Sequence, residues 1–384
     1  MSARAPAGAH VGLNLVFLVP GETGGMEVYA RELLAALLAQ APASMRFTAF
    51  VNREAAAAPD PPWEGRLDAV TLPVRARRRV QWVLGEQLPL PLLARRAGVD
   101  LLHSLASTAP LWGPFRRVTT VHDLIYARFP EAHPGLRDRG MSVLVPAAAR
   151  RSDRVIAISR STRDDLVAQL GLDPARIDVV PNGLGVVQRV PALEAAQTRA
   201  RFALDGRRVL LSVSAKRPHK NLARLIDALA LIAPERRPLL VLPGYGTWHE
   251  AELRERALRS GVGEDVRFAG WISQAELEGL WALAEAFVFP SLYEGFGLPV
   301  LEAMARGVPV ACSNASSLPE VAGEAALLFD PRDPRAIAAA VERLLGEREL
   351  AARLRALGRQ RARLFSWERS ARLTLESYRR ALSE

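Results

Sequence analysis

The residues best suited to chemistry lie in one stretch, residues 289–310. Glu294 is followed by Gly295-Phe296-Gly297-Leu298, and a second acid, Glu302, comes after seven intervening residues. Glycines let a backbone approach a ligand closely, and the N-terminus of a following helix presents N–H groups to an anion. We therefore predict a phosphate at Gly297-Leu298. Two acids touching that anion would repel it, so they are predicted to bind neutral hydroxyls on either side of a diphosphate, a sugar and a ribose. The alternative is a generic strand–loop–helix with solvated acids.

Two lysines add to this picture. Lys216 and Lys220 are the only lysines among 51 basic residues, so they stand out more than the arginines do. A cation near a strand end can neutralise charge that builds on a leaving group. We predict this role for Lys220. The alternative, a solvated basic turn, fits Lys216 better than Lys220.

One histidine occupies a promising position. His122 follows the apolar strand Val118–Val121, and ligands gather beyond the carboxyl ends of parallel strands. A lone histidine is more often structural, and this interpretation is kept for His103, at the end of another strand. Gly24 and Gly25 permit close backbone approach to a ligand, although a glycine pair usually means only a tight turn.

The elements that must position these residues alternate between strand and helix. Buried strands alternating with helices predict parallel sheets in two doubly wound α/β domains, with a ligand cleft between them. Strands are predicted at 11–19, 47–51, 100–104, 117–122, 154–159 and 177–180. A weakly patterned stretch, 184–206, separates the halves before the alternation restarts at Val209 and ends in a helical tail, Trp367 to Leu382.

Composition narrows the class of protein. The chain has 384 residues, of which 49% are hydrophobic and 24% charged, which is ordinary for two globular domains. No apolar run approaches the roughly 20 residues of a membrane-spanning helix. The single cysteine, Cys312, cannot form an intramolecular disulfide, which suits a reducing cytoplasm. The apolar run Val11–Val19 leads into a glycine loop and an amphipathic helix, so we interpret it as a strand and not as a signal peptide.

The motifs resemble those of a known family. The segment S-L-Y-E-G-F-G-L-P-V-L-E-A-M-A-R-G-V-P-V is similar to the E-x7-E signature of the retaining GT-B glycosyltransferases of family 4. The T-V-H-D-L segment looks most like bacterial mannosyltransferases of polysaccharide assembly. The resemblance covers nearly the whole chain, through Gly24-Gly25-Met26-Glu27, Val121-His122-Asp123, Val180-Pro181-Asn182-Gly183, Lys220-Asn221 and Phe365-Ser366-Trp367-Glu368.

The resemblance implies a fold and a division of labour. The GT-B fold has two doubly wound Rossmann-like domains facing across a cleft. Residues 1–187 would bind the acceptor and residues 188–367 the nucleotide sugar. The last helix, about 368–384, would return to the first domain.

The resemblance also implies roles at the sugar and phosphate. Glu294 would lie near the donor sugar, the backbone N–H groups of Gly295-Phe296-Gly297-Leu298 would hold sugar hydroxyls and phosphate, and Glu302 would bind the ribose. Lys220 would clamp the diphosphate. The family arginine five residues earlier is Ala215 here, so Lys216 or Arg217 would substitute for it.

Further roles follow from the same resemblance. His122 would touch the donor sugar at its 6-hydroxyl or reacting face, and Gly24-Gly25 would approach the diphosphate from the opposite domain. Trp271 and Ile272 belong to the base-contacting turn, where the backbone would contact the base. A buried Trp271 is the alternative.

The implied activity is a retaining, metal-independent transfer of a hexose, with mannose favoured. The donor would be a nucleotide diphosphate sugar, and the acceptor a saccharide or a lipid-linked saccharide in polysaccharide or glycolipid assembly. No cofactor is expected, and no metal is expected because Lys220, Arg217 and a helix terminus would neutralise the charge. The implied chemistry is a front-face displacement in which the leaving phosphate helps to deprotonate the acceptor, so no protein nucleophile is required. The expected location is cytoplasmic, either free or peripheral on the inner face of the cytoplasmic membrane.

Other classes remain open. A GT-B sugar-nucleotide epimerase shares the fold, and a catalytically silent scaffold is disfavoured by the retained motif residues. The formal net charge of +10 also suits nucleic acid, but interleaved aromatics and a recognisable reader module are missing. A basic run with neighbouring apolar residues suits an anionic membrane instead, or is only a solvated face: Arg75, Arg77, Arg78, Arg79, Val80, Trp82, Val83 and Leu84.

Overall fold

The computed structural model describes residues 8–59, 61, 63, 65–129, 136–185 and 190–383. The chain divides into two compact units: Met1–Gly185 with Ser366–Glu384, and Val186–Phe365. The predicted domain boundary at 187–188 lies outside the described residues.

The first unit is built on a parallel sheet. Its described residues form seven strands in the order β3-β2-β1-β4-β5-β6-β7. The strands are β1 His10–Leu15, β2 Arg46–Val51, β3 Asp68–Thr71, β4 Leu101–Ser104, β5 Arg116–Val121, β6 Arg154–Ala157 and β7 Ile177–Val179. The helices are α1 Gly25–Gln40, α2 Arg53–Ala56, α3 Arg79–Gln87, α4 Pro89–Arg96, α5 Ile125–Arg128, α6 Leu136–Arg151 and α7 Arg160–Leu170.

The second unit repeats the plan. Its described strands form one parallel sheet in the order β10-β9-β8-β11-β12-β13. The strands are β8 Val209–Leu211, β9 Leu239–Pro243, β10 Val266–Gly270, β11 Ala284–Phe289, β12 Val310–Ser313 and β13 Ala326–Phe329. The helices are α8 Ala195–Phe202, α9 Leu222–Leu231, α10 Glu250–Arg259, α11 Gln274–Leu283, α12 Leu298–Ala305, α13 Leu318–Ala322, α14 Pro334–Gly346 and α15 Arg348–Ala362.

The burial of the strands explains why the alternation of apolar runs and helical patterns in the sequence predicts these sheets. Every residue of β1 is buried, as the central strand of a covered parallel sheet requires. The prediction of two Rossmann-like α/β domains is confirmed. Each sheet directs its carboxyl edge toward the predicted site residues of its own unit: β5 ends before His122, and β8 and β11 end before Lys216 and Glu294. Within the described ranges, no helix combines the length and the apolarity needed to cross a membrane.

The last helix, α16 (Trp367–Ser383), belongs to the first unit. Trp367 packs edge-on against Tyr29 of α1, with ring centroids 5.7 Å apart. Ser370 Oγ donates to the carbonyl of Pro181 at 2.6 Å. A Cβ at Gly183 would lie 2.3 Å from the backbone nitrogen of Trp367, so only glycine lets the chain pass this closely.

Candidate active site

The loop between β11 and α12 is shaped by glycine. Gly297 caps α12 with φ +107°, a conformation that favours glycine. A Cβ there would also lie 2.6 Å from Leu318 Cδ2. Pro299 occupies the first turn, where a missing N–H costs nothing. The loop therefore presents the N-terminus of an eight-residue helix, with Leu298 as its first residue, to the carboxyl edge of the sheet.

Two serines that the motif analysis missed hold this loop. The N–H of Glu294 donates to Ser316 Oγ at 2.8 Å. Ser317 Oγ shares its single hydroxyl proton between the carbonyls of Glu294 at 2.9 Å and Phe296 at 2.7 Å. Both serines follow β12, the neighbour of β11 in the sheet. The sequence does show a serine-rich loop after β12. Its proximity to the loop of Glu294 becomes apparent only from the order of the strands in the sheet.

The structure brings together two of the predicted catalytic side chains. Lys220 Nζ lies 2.6 Å from Glu294 Oε1, and the two side chains are only 18% and 13% exposed. The ammonium also lies 5.5 Å from the centroid of the Phe289 ring. At this burial water screens the charges weakly, so the pair provides a fixed cation and a fixed hydrogen-bond acceptor at the carboxyl edge.

Asn221 joins the lysine turn to the acid loop. Its Nδ2 donates to the carbonyls of Pro290 at 3.0 Å and Pro331 at 2.7 Å. The N–H of Leu292 donates to the carbonyl of His219 at 2.8 Å. Asn221 adopts φ +58°, which asparagine tolerates better than most residues. These bonds set the spacing between Lys220 and the loop of Glu294.

Lys216 faces away from solvent. It is wholly buried, and its Nζ donates to the carbonyls of Leu242 at 2.8 Å and Gly244 at 2.7 Å. Burial lowers the pKa of Lys216 to about 8, against a smaller opposing effect of Glu250. Arg217 is the half-buried basic residue between the two lysines. The ammonium of Lys216 therefore holds backbone carbonyls in this structure.

Glu302 lies in α12 and is half-buried. Burial raises its pKa above the ordinary value; Arg306 opposes this rise and Glu278 adds to it. Arg306 Nε donates to Glu278 Oε2 at 2.9 Å, so its guanidinium is already engaged by another carboxylate. A partly buried carboxylate in this setting gains from hydroxyl donors such as those of a ribose.

The predicted base turn carries an exposed aromatic pair. Trp271 is 68% exposed, so the alternative of a buried Trp271 is wrong. Its ring stacks on that of Tyr245, with centroids 4.2 Å apart and planes inclined by 18°. The N–H of Gly244 donates to the carbonyl of Gly270 at 2.7 Å and joins the two loops. Ile272, the next residue of the turn, is half-buried.

The remaining predicted residues belong to the first unit. His122 Nε2 donates to the carbonyl of Leu105 at 2.7 Å, so Nδ1 keeps the lone pair of the neutral ring. Its backbone N–H donates to Ser107 Oγ at 3.1 Å. Burial lowers the pKa of His122, while the Leu105 hydrogen bond and Asp123 act in the opposite direction. His122 is therefore a neutral acceptor at neutral pH.

A buried network lies behind His122. His103 Nδ1 lies 2.7 Å from the Tyr378 hydroxyl, and Nε2 lies 2.8 Å from Thr120 Oγ1. Thr120 also bonds the Tyr29 hydroxyl at 3.0 Å, and the Tyr29 ring meets His122 edge-on at 4.8 Å. Burial lowers the pKa of His103 to about 3. This histidine, predicted to be structural, has both ring nitrogens hydrogen-bonded inside the core.

Gly24 and Gly25 open α1. Gly24 adopts φ +64°, and a Cβ at either position would meet no described heavy atom within 4 Å. The backbone beside the N-terminus of α1 is thus accessible, as close approach to a ligand requires. The described residues hold no group of three or more His, Cys, Asp or Glu side chains arranged for a metal ion.

In the basic run at residues 75–84, two of the apolar residues predicted to lie on the surface are partly buried. Trp82 is half-buried and packs against the core of the first unit, and Val83 is also half-buried. Arg77 pairs with Glu22 at 2.6 Å. The exposed apolar side chains instead form what we call the apolar stripe: Val80, Leu84, Leu88, Leu92 and Trp112.

Known proteins resemble the chain along most of its length. The sequence profile described as Glycosyltransferase Family 4 matches residues 23–186, and the profile described as Glycosyl transferases group 1 matches residues 195–361. The O-antigen chain mannosyltransferase B of Escherichia coli is 35% identical over 274 residues, which are 69% of this chain and 70% of the relative.

Two further comparisons extend the picture. The serotype-specific mannosyltransferase WbdA of Escherichia coli is 31% identical over 70% of this chain, which spans only 34% of that relative. The solved sucrose-phosphate synthase of Thermosynechococcus elongatus superposes with a TM-score of 0.75 at 23% identity, covering 97% of this chain and 98% of that one. At this identity the likeness is one of fold.

Proposed function

Because the chain belongs to glycosyltransferase family 4, we propose that it moves a hexose from a nucleotide diphosphate sugar to an acceptor hydroxyl with retention of configuration. The observation that carries the proposal is the Lys220–Glu294 pair, 2.6 Å apart beside the glycine-shaped N-terminus of α12. A cation, the free N–H groups of a helix and a carboxylate that can accept hydrogen bonds from sugar hydroxyls then lie together at one edge of the sheet. These are the groups that a sugar diphosphate requires.

The diphosphate lies at the N-terminus of α12 in this proposal. Lys220 neutralises the charge that develops as the sugar leaves, and Arg217 supplies the second cation in place of Ala215. Glu302 binds the ribose hydroxyls. Because side chains and a helix terminus supply the positive charge, we propose that transfer needs no metal; EDTA treatment should leave the rate unchanged.

At the sugar, Glu294, held by Lys220, accepts hydrogen bonds from hydroxyls of the donor hexose. In the first unit, neutral His122 offers Nδ1 as an acceptor for a sugar hydroxyl. In the transfer step the bond from C1 to the phosphate oxygen breaks and a bond from C1 to the acceptor oxygen forms on the same face. The acceptor proton passes to the departing phosphate oxygen. Glu294 already accepts from an ammonium, which supports a binding role over that of a nucleophile.

Mannose is the favoured sugar. The relatives at 35% and 31% identity are named as mannosyltransferases, the first of an O-antigen chain, and this supports GDP-mannose as donor and polysaccharide assembly as the process. Transfer or slow hydrolysis should be screened with GDP-mannose and UDP-glucose. Conversion of a nucleotide sugar to its epimer without hexose transfer would favour the epimerase alternative.

We further propose that the first unit meets an anionic membrane, where a lipid-linked acceptor would be found. Val80 and Leu84 lie four residues apart on α3 and therefore on one face of that helix, and the exposed Leu92 lies on the next helix, α4. Trp112 joins the stripe because its Nε1 donates to the carbonyl of Gln87 at 2.6 Å. Exposed arginines flank both ends: Arg75, Arg78, Arg79, Arg95 and Arg96. Apolar residues beside basic ones are typical of interfacial binding.

Sedimentation with vesicles tests this surface. Binding to anionic vesicles should weaken with salt, since each basic residue near the surface contributes about 1 kcal/mol. Changing Arg75, Arg77, Arg78 and Arg79 to glutamine should abolish it, and Leu84→Ser should reduce it without altering the salt dependence. A protein that stays in the supernatant at low salt would favour a soluble acceptor.

A further inference from the structure

One loop of the first unit carries two contacts that fix His122. This β4–β5 loop, residues 105–115, follows Ser104 and precedes Arg116. The Leu105 carbonyl accepts from His122 Nε2, and Ser107 Oγ accepts from the backbone N–H of His122. The first bond decides the tautomer, because Nδ1 of the neutral ring keeps its lone pair only while Nε2 carries the proton. The position of the loop therefore determines which nitrogen of His122 is the acceptor.

The backbone of this loop is not relaxed. Ser107 adopts φ +65°, in the left-handed region that favours glycine. Its N–H donates to the carbonyl of Thr120 at 2.9 Å, and the residue is only 6% exposed. A strained conformation of this kind persists only where surrounding contacts hold it, and it is common at functional sites. The conformation of the β4–β5 loop therefore depends on contacts from other elements.

The last residue of α3 supplies three of those contacts. Gln87 Nε2 donates to the carbonyl of Ala109 at 2.9 Å, and Gln87 Oε1 accepts from the N–H of Leu111 at 3.1 Å. The backbone carbonyl of Gln87 accepts from Trp112 Nε1 at 2.6 Å. The half-buried side chain of Gln87 thus pairs one donor and one acceptor with the backbone of the loop. Only a side chain that has both a donor and an acceptor can make this pair of bonds.

Glu86, the preceding residue, anchors the start of the loop through β1. Asn14 Nδ2 donates to Glu86 Oε1 at 2.6 Å and to Ser104 Oγ at 3.1 Å, and all three side chains are buried. Ser104 is the last residue of β4, directly before Leu105. The last turn of α3 therefore holds the loop on both sides of the two residues that contact His122.

We propose that the last turn of α3 positions His122: Gln87 and Glu86 hold the β4–β5 loop so that Nε2 keeps its proton and Nδ1 keeps its lone pair. This inference rests on the proposed function, because it is the donor hexose that gives Nδ1 a hydroxyl to accept. Gln87 and Glu86 act through the loop, so they are positioning residues and not catalytic ones.

The ring nitrogens of His122 test the proposal without an activity assay. In ¹⁵N NMR spectra at neutral pH, the signals that His122→Ala removes should show Nε2 protonated in the wild type. Gln87→Met keeps the length of the side chain but removes both amide bonds, so the form protonated at Nδ1 should appear. The kcat for hexose transfer should fall by up to about 100-fold, the effect of a group displaced by about 1 Å, while the Kd of the nucleoside diphosphate stays unchanged.

Gln81→Met is the matched control. Gln81 lies on the same helix, but its Oε1 accepts from the N–H of Arg75 at 3.1 Å, in the segment before α3. The same loss of an amide there should leave the tautomer of His122 and the rate of transfer unchanged.

Combination with His122→Ala separates positioning from a general structural role. In that background Gln87→Met should slow transfer no further, because the residue that Gln87 positions is already gone. Equal slowing in both backgrounds would overturn the inference, and so would an unchanged tautomer in folded Gln87→Met. If the wild type transfers no hexose, the proposed function fails, and the tautomer still decides whether Gln87 positions the ring.

Two further variants keep the test open if Gln87→Met does not fold. Gln87→Glu keeps an acceptor for the Leu111 N–H but loses the donor to the Ala109 carbonyl, so the form protonated at Nδ1 should appear here too. Glu86→Gln keeps Oε1 as an acceptor for Asn14 and should preserve the wild-type tautomer. A wild-type tautomer in Gln87→Glu as well would contradict the proposal.

Discussion

Replacing Lys220 with alanine tests the electrostatic basis of the proposed mechanism. Its ammonium lies 2.6 Å from Glu294 Oε1, and both side chains are mostly buried, so its charge acts where water screens it weakly. Loss of a preorganised group that stabilises developing charge typically lowers turnover about 100-fold or more. This corresponds to about 2.7 kcal/mol of transition-state stabilisation.

The same substitution has a second effect, on stability. Without Lys220, the carboxylate of Glu294 keeps its burial and loses its cation. Breaking a fully buried pair costs about 3–5 kcal/mol, and the 18% and 13% exposure of this pair should reduce that cost. The double variant Lys220→Ala with Glu294→Gln removes the orphaned charge. It should regain thermal stability without regaining turnover.

Initial rates of donor hydrolysis or transfer with GDP-mannose provide the assay, with thermal unfolding measured on each variant. Arg208→Ala is the matched control, since Arg208 lies just before the same strand, β8. It pairs with Glu285 at 2.7 Å in an ion pair that is 45% and 43% exposed. Such a surface pair contributes little, so its loss should leave turnover unchanged. Near wild-type turnover of Lys220→Ala would refute the assignment and move the role to Arg217.

Three other outcomes are expected. Glu302→Ala should weaken nucleoside diphosphate binding by about 1.5–3 kcal/mol in calorimetry, and unchanged affinity would remove Glu302 from the site. Glu294→Ala and His122→Ala should slow transfer yet keep most nucleotide affinity; a loss as severe as that of Glu302→Ala would contradict the division of the site. His103 has a pKa of about 3 when folded and about 6.5 when unfolded, so the free energy of unfolding should fall by about 1.4 kcal/mol per pH unit below 6.5. His103→Gln should flatten that slope in denaturant titrations at different pH, and an equally steep slope would exclude His103 as its source.

The periodicity of apolar residues predicts an element well where one face of that element is buried and its ends are set by neighbouring residues. The sequence has a helical pattern at residues 160–170, and these residues form α7, whose start is fixed by Ser159 Oγ, which accepts from the N–H of Thr162. The strand predicted at 11–19 ends earlier, at Leu15, although the residues after it are buried. There the chain turns, and the N–H of Leu18 donates to the carbonyl of Leu15 at 3.1 Å. An apolar run in the sequence therefore indicates buried residues, but it does not distinguish a buried strand from a buried turn.

Two edge strands, β3 and β13, are missing from the strands predicted along the sequence, whereas the edge strand β7 matches the strand predicted at 177–180. β3 lies at one edge of its sheet, and its residues are mostly exposed. β13 occupies the edge of the other sheet and is only partly buried. β3 has no continuous apolar run, since backbone pairing with a single neighbour does not require one. β13 is apolar throughout but has only four residues, a run too short for periodicity to distinguish a strand from a buried helix segment. The sheets therefore hold strands that sequence periodicity does not mark.

The site residues also fall into two groups, those that can be recognised from the sequence and those that can be recognised only from the fold. Glu294 and Glu302 are recognisable because one loop and one helix place them at a fixed spacing. Asn221 and Ser317 lie far from Glu294 in the sequence and reach its loop only because β8 and β12 flank β11 in the sheet. A motif search along one chain segment cannot find partners that depend on strand order.

The two lysines show how far residue type alone can assign a role. Both follow β8, four positions apart, and either could supply a cation to a diphosphate by that criterion. The structure gives them different partners: Lys220 meets a carboxylate at the carboxyl edge, whereas Lys216 meets two backbone carbonyls inside the protein. An ammonium bound to carbonyls has its hydrogen bonds directed inward and is poorly placed to meet a phosphate. We therefore propose Arg217, the half-buried arginine of this loop, as the second cation in place of Ala215.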